Sequence, residues 1–146
     1  MKAKEKLLIV DGHNLLMGLT DMTYIPKQGV NGPIWALIAF DSHNYEIPVN
    51  PNATEQATRE KLIAYILEKQ LADGGWDLAN RTADPDMTGM AIQALAPYYN
   101  SNADVKAAID KALTIMEGMV ENDLQSLREH FESDEVNIDQ YLSDIK

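Results

Sequence analysis

The residues most able to do chemistry in this 146-residue chain are two aspartates one position apart, in Asp84-Pro85-Asp86-Met87. A carboxyl group acts as a general acid when its surroundings tune its proton affinity. The same residues have a structural use. An Asp at the head of a helix accepts a hydrogen bond from a free first-turn amide, and Pro in that turn has its φ preset. The other chemistry-bearing types are scarce. His13, His43 and His130 are far apart, show no metal-ligand spacing and read as loop or surface residues. Cysteine is absent, which excludes disulfides, thiolate nucleophiles and cysteine-ligated metals. No metal site and no cofactor are expected.

The elements that must position these aspartates read as helices. Met87, Met90, Ala91, Ala94 and Leu95 recur at i, i+3, i+4, i+7 and i+8, which predicts an amphipathic helix ending at Pro97. Val105, Ala108, Ile109, Ala112, Leu113 and Met116 repeat the spacing. A looser stripe follows through Val120, Leu124, Leu127 and Phe131, with breaks expected at Gly118 and Asn122-Asp123. Ile138, Tyr141, Leu142 and Ile145 give a last short helical pattern. Upstream, Gly32-Pro33 opens a helix through Ile34–Phe40 that is apolar on every side and should be buried all round. Asn52-Ala-Thr-Glu55 resembles a capping box for a helix carrying Leu62, Ile63, Ile66 and Leu67 up to Gln70. Residues 7–10 form a short strand or a helical turn, and 11–32 are mostly loop, with a helical turn at Leu15–Leu19. No strand alternation is read after residue 11, so the predicted class is all-α.

The segment Gln70-Leu-Ala-Asp-Gly-Gly-Trp76, with the pattern Gln-x-x-x-Gly-x-Trp, resembles the repeat of the squalene cyclase-like and prenyltransferase-like α/α-toroid proteins. Asn31–Ser42 and Asp84–Leu95 extend the resemblance to about residues 12–116, in the manner of toroid repeats of exported Gram-positive bacterial proteins. In such repeats the glutamine (here Gln70) bonds exposed backbone groups and Gly74 permits the reversal. The indole (here Trp76) packs on a helix end. The implied architecture is a partial toroid of antiparallel helical hairpins. Class II terpene cyclases of this superfamily carry Asp-x-Asp-Asp, whose middle aspartate protonates an alkene and needs neighbours that stabilise its anion. Asp84 and Asp86 match the first two positions, and Met87 stands where the third carboxylate would be. The zinc branch requires a cysteine ligand that the chain lacks. The superfamily also includes non-catalytic binding proteins such as cobalamin carriers. Separately, Leu7–Asn14 resembles the first strand of PIN-like nucleases, in which a strand-end Asp helps to hold a metal ion.

The resemblance implies a non-catalytic interaction or ligand-binding module; the alternative is a cyclase-like isomerase with Asp86 as general acid. Trp35, Tyr98 and Tyr99 are candidates to line a cavity for a small apolar ligand, although aromatics at helical spacing are more often core. Residues 1–116 are expected to form the toroid-like domain, with 1–11 atypical, and 117–146 an acidic helical cap or extension. The last segment carries nine acidic residues against Arg128 and Lys146, within a total charge of −11. That charge argues against nucleic-acid binding, which needs clustered Lys and Arg. No apolar run is long enough for a bilayer. Nor does Leu7–Val10 make the apolar centre of a signal peptide, although the resemblance implies an extracellular or cell-surface setting. The resemblance implies a full ring of about twice as many helices as this chain can supply. The chain is therefore expected to be a fragment, to pair with a protein partner or a second copy, or to cover its cut edges with the acidic C-terminal helices folded back as a cap.

Overall fold

The computed structural model describes residues 8–133, with side chains through residue 129. The chain is mostly helical. A two-residue hairpin, β1 (Ile9–Val10) and β2 (His13–Asn14), leads into 3-10 helices at Leu15–Leu19 and Ile25–Gln28. Four α-helices follow among the described residues: α1 (Asn31–Asp41), α2 (Arg59–Glu68), α3 (Pro85–Leu95) and α4 (Ala103–Ser133), with a 3-10 turn Ala96–Tyr98 after α3.

The hairpin corrects the expectation of no strand past residue 11. Val10 pairs with His13 and Ile9 with Asn14, antiparallel. Asp11 and Gly12 between them have φ of 50° and 78°, the positive values that a two-residue hairpin turn requires. Strands of two residues are too short to alternate, so only the Asp-Gly pair could signal them. Asp11 stands exposed at the end of β1, and no group of three or more His, Cys, Asp or Glu suited to a metal ion gathers with it among the described residues.

α1 packs against α2, α3 and the 3-10 helix Ile25–Gln28, while α4 packs against α3 and α2. Ile34, Leu37 and Phe40 of α1 meet Leu62 and Ile66 of α2, Ala91 and Leu95 of α3, and Val105 and Ala112 of α4 in one core, all wholly buried. Burying aliphatic and aromatic side chains of this size contributes about 1.5–3 kcal/mol each. α1 is not buried all round as its composition suggested. Trp35 is 51% exposed, because α1 meets its neighbours on one side and leaves that position facing out. The helix begins two residues before Pro33, at Asn31, so the proline occupies its third position. Pro still fits there, since the first-turn amides have no intrahelical acceptor.

The capping box expected at residues 52–55 does not start α2. Thr58 caps it instead, its hydroxyl accepting from the Lys61 amide at 3.3 Å. The 52–55 stretch is held by Asp21, whose carboxylate accepts from Thr54 N at 3.0 Å and Glu55 N at 3.3 Å. Buried Thr20 closes the same loop by accepting from Asn50 Nδ2 at 2.9 Å while donating to Met17 O. This loop spans 42–58 without regular structure yet is fixed by these polar contacts.

α4 shows no break at Gly118 or Asn122-Asp123. It runs unbroken for 31 residues, about 46 Å at helical rise. Asn102 caps it, Oδ1 accepting from Asp104 N and Val105 N. Its burial ends abruptly: Val105, Ala108, Ile109 and Ala112 are buried, whereas every described side chain from Val120 to Glu129 is exposed. A glycine inside a helix costs about 1 kcal/mol against alanine, which the long flanking helical sequence absorbs. The helical pattern at 138–145 and the side chains of His130 and Phe131 lie outside the described residues.

Candidate functional site

The Gln70–Trp76 reversal joins three helices. At the end of α2, Gln70 Nε2 donates to Gly74 O and to Ala108 O of α4, both at 2.8 Å. The Trp76 indole Nε1 donates to Ile66 O of α2 at 2.7 Å. The Trp76 backbone amide donates to Thr88 Oγ1 of α3 at 3.0 Å, and that hydroxyl in turn lies 3.3 Å from Trp76 O. The glycines between them are demanded by space. Gly74 has φ +110° and lies against Lys111, and a Cβ on Gly75 would overlap Ala83 and come 2.7 Å from Thr88 Oγ1. Asp73 completes the turn, its carboxylate accepting from Ala83 N at 2.8 Å and Gly75 N at 3.1 Å. Those amide hydrogen bonds, Ala83 foremost, hold its pKa below the ordinary value. No buried side-chain nitrogen or oxygen of this hub lacks a hydrogen-bond partner, and Trp76 is wholly buried. The motif closes helix ends.

The aspartates follow directly. Asp84 is the N-cap of α3, Oδ1 accepting from Met87 N at 2.8 Å, with Pro85 as the first helical residue. Its own amide donates to Trp76 O at 2.9 Å, tying the cap to the hub. Asp86 is exposed in the first turn, while Met87 is buried. A general acid for an alkene needs a closed, apolar site in which substrate excludes water. Asp86 instead faces solvent, where a first-turn carboxylate favours the positive end of the helix dipole.

The three candidate cavity aromatics do not converge. Tyr98 donates its hydroxyl to Asp41 Oδ2 at 2.7 Å; Asp41 Oδ1 also accepts from Arg59 Nε at 2.7 Å. Burial and then the Asp41 carboxylate push the Tyr98 phenol well above its usual pKa. Arg59 continues to Phe40 O and Tyr45 O, so this cluster pins the end of α1 to α2 and to the turn after α3. Spacing gave no hint of it, because its members are 18 and 57 residues apart. Tyr99 belongs to a surface group, donating to Asp110 Oδ1 at 2.6 Å with Lys106 Nζ 4.5 Å above its ring.

Trp35 lines a different feature, a cleft of about 220 Å³ between the two N-terminal 3-10 helices and the start of α1. Tyr24, 62% exposed, shares it with Trp35, and Gln28, Asn31 and Lys27 supply polar groups. Lys27 Nζ sits 4.9 Å from the Tyr24 ring centroid. Gly32 lets the cleft close underneath, because any Cβ there would collide with the Ile25 carbonyl oxygen. Asn31 Oδ1 is buried without a hydrogen-bond partner, the one such side-chain atom among the described residues. Sequence reasoning proposed Trp35 but missed Tyr24 and Asn31, which look like loop residues until the chain folds them together.

No cluster of three or more His, Cys, Asp or Glu suited to a metal ion occurs among the described residues. Within them, too, no helix is long and apolar enough to cross a membrane. Comparison with protein-family models, curated proteins and solved structures finds no match.

Proposed function

We propose that this chain is a non-catalytic helical interaction module of the α/α-toroid type that self-associates through the projecting half of α4. The carrying observation is an uncovered apolar stripe along that helix. Leu113, Val120, Leu124 and Leu127 are 46%, 56%, 50% and 53% exposed. With the partly buried Met116 they follow the 3- and 4-residue steps of one helix face. Four large apolar side chains facing water lose the gain of burial, so a partner helix that covers the stripe would stabilise it. A second copy offers a matching stripe. Glu117, Glu121, Asp123 and Glu129 flank it, against Arg128 alone in that stretch. Two copies therefore repel electrostatically, and association should tighten as salt screens the charges.

The toroid assignment rests on the Gln70–Trp76 reversal and its link to Asp84. The non-catalytic reading rests on Asp84 being engaged as a cap and on Asp86 standing in solvent beside a methionine. The setting that the resemblance implies, outside a Gram-positive cell, belongs to the same proposal. The test is sedimentation velocity over a range of protein and salt concentrations. A concentration-dependent dimer that Leu124→Glu with Leu127→Glu converts to monomer supports the reading. A monomer throughout, at up to about 100 μM, the range of a weak interface, overturns self-association. Turnover of a polyprenyl substrate abolished by Asp86→Asn would overturn the non-catalytic part.

A further inference from the structure

We infer that the Tyr24–Trp35 cleft is a binding site for a ring of a neutral saccharide. The site is separate from the α4 stripe, and the inference stands whether or not the chain self-associates.

Three observations carry it. First, two large aromatic side chains that share one cleft are more than half exposed, Tyr24 at 62% and Trp35 at 51%. Elsewhere the chain buries its other tryptophan completely. Aromatic rings left at a surface present flat apolar faces with a polar rim, suited to a partner that is itself apolar on its faces. Second, Asn31 Oδ1 is buried with no donor. A buried acceptor without a partner is costly, and Asn31 lines the cleft, so a side-chain rotation that turns this oxygen toward a ligand hydroxyl gains a hydrogen bond the free protein lacks. Third, the groups around the cleft include the carboxamides of Asn31 and Gln28 and one ammonium, Lys27, but no carboxylate. In a chain of net charge −11, an acid-free cleft disfavours a cationic ligand.

A pyranose ring matches this set. Its C–H faces can lie on Trp35 or Tyr24, and its hydroxyls, spread around the edge, can exchange hydrogen bonds with the carboxamides of Gln28 and, once its side chain turns outward, Asn31. The aromatic side chain of a peptide offers at most one donor and leaves one of the carboxamides unused. A cleft of about 220 Å³ is small even for one drug-sized ligand, so a single ring would occupy it and a chain would continue past its open side. Gly18 lies on that rim with open space around a would-be Cβ.

The two tryptophans make the test clean, since Trp76 is wholly buried and Trp35 half-exposed. The protein is titrated with maltohexaose, cellohexaose and fully N-acetylated chitohexaose, all neutral, while tryptophan emission and its quenching by acrylamide are followed. The expected result is a blue shift and protection of Trp35 with at least one of the three. Trp35→Ala should abolish the shift, and Asn31→Ala and Gly18→Phe should each weaken binding about tenfold, the loss expected for one hydrogen bond or a blocked stacking face. The blue emission of Trp76 reports that each variant is folded. Absence of any change at up to about 1 mM of each sugar, where a site with a Kd of about 1 mM would be half filled, overturns the proposal. So does a response to N-acetyl-tyrosinamide or to inorganic phosphate with none to the sugars, or binding unchanged in Asn31→Ala.

Discussion

The two tryptophans of this chain stand in opposite conditions. Trp76 follows a pair of glycines in a polar turn and is wholly buried; Trp35 sits in the most apolar run of the sequence and is half-exposed. Around Trp76 no buried side-chain polar atom is unpaired, and a Cβ on either neighbouring glycine would come within 3 Å of another side chain. Around Trp35 an acceptor is unpaired and a cleft remains open. Local composition therefore points the wrong way for both residues. What decides their fate is whether a neighbouring element supplies a hydrogen bond to the indole and a surface against its ring, as α2 does for Trp76.

The contrast can be broken most directly by truncation. Trp76→Ala should cost about 3–5 kcal/mol, the range for deleting a large buried aromatic, read as a fall in the denaturant midpoint. Trp35→Ala should stay within about 0.5 kcal/mol, as for an exposed position. Equal losses would mean that the two sites are not different in kind. Next in size is Gly75→Ala, which forces a methyl group against Ala83 and Thr88. Overpacking of this sort costs about 1–3 kcal/mol, whereas Gly18→Ala at the cleft rim should cost far less because nothing lies within 4 Å of the new carbon. The aspartates divide in the same way. Asp84→Ala should lower stability by about 1 kcal/mol through loss of the cap, and Asp86→Ala by about 0.5 kcal/mol or less, both measured by chemical unfolding.

The smallest effect is one of pH. The Asp21 carboxylate accepts from the Thr23 amide and hydroxyl and from the Thr54 and Glu55 amides. These bonds, the Thr23 amide first, lower its pKa to about 2. A depressed pKa means that the unfolded chain binds the proton more readily. The stabilisation is therefore fully present above the ordinary value of 3.8 and lost as pH falls toward about 2. Asp21 also anchors the segment that presents Tyr24, since its carbonyl accepts from the Tyr24 and Ile25 amides. Protonation of Asp21 should therefore loosen the segment around Trp35 only at the acid end of the titration, and Asp21→Asn should remove that late change. Acrylamide quenching followed between about pH 5 and pH 2, the window in which carboxylates titrate, would show it as a step missing from the variant.

Helices were the legible part of the fold. The 3-and-4 spacing marked α3 and the first half of α4 because one face of each is buried, and Asp84-Pro85 marked a helix start because capping is a local interaction. The start of α2 was misplaced because Asn52 and Thr58 are both good caps. The choice between them is made by Asp21, more than thirty residues away. The breaks expected at Gly118 and Asn122-Asp123 weigh propensity alone, whereas a helix already nucleated by its packed half extends at little cost per residue. In the candidate site, Trp35 was visible as a residue type. Asn31 and Tyr24 acquire meaning only from what the fold leaves beside them.

The uninterrupted passage of α4 from core into solvent makes it a rigid spoke with a fixed angular phase. Each residue inserted after Met116 would turn the outer stripe by about 100° and carry it about 1.5 Å outward. Adding one or two residues near Gly118 would swing Val120, Leu124 and Leu127 away from whatever they meet. Adding seven, close to two whole turns, would restore their heading at a greater reach. A partner that engaged that stripe, as proposed, would thereby be held at a set bearing from the Trp35 cleft.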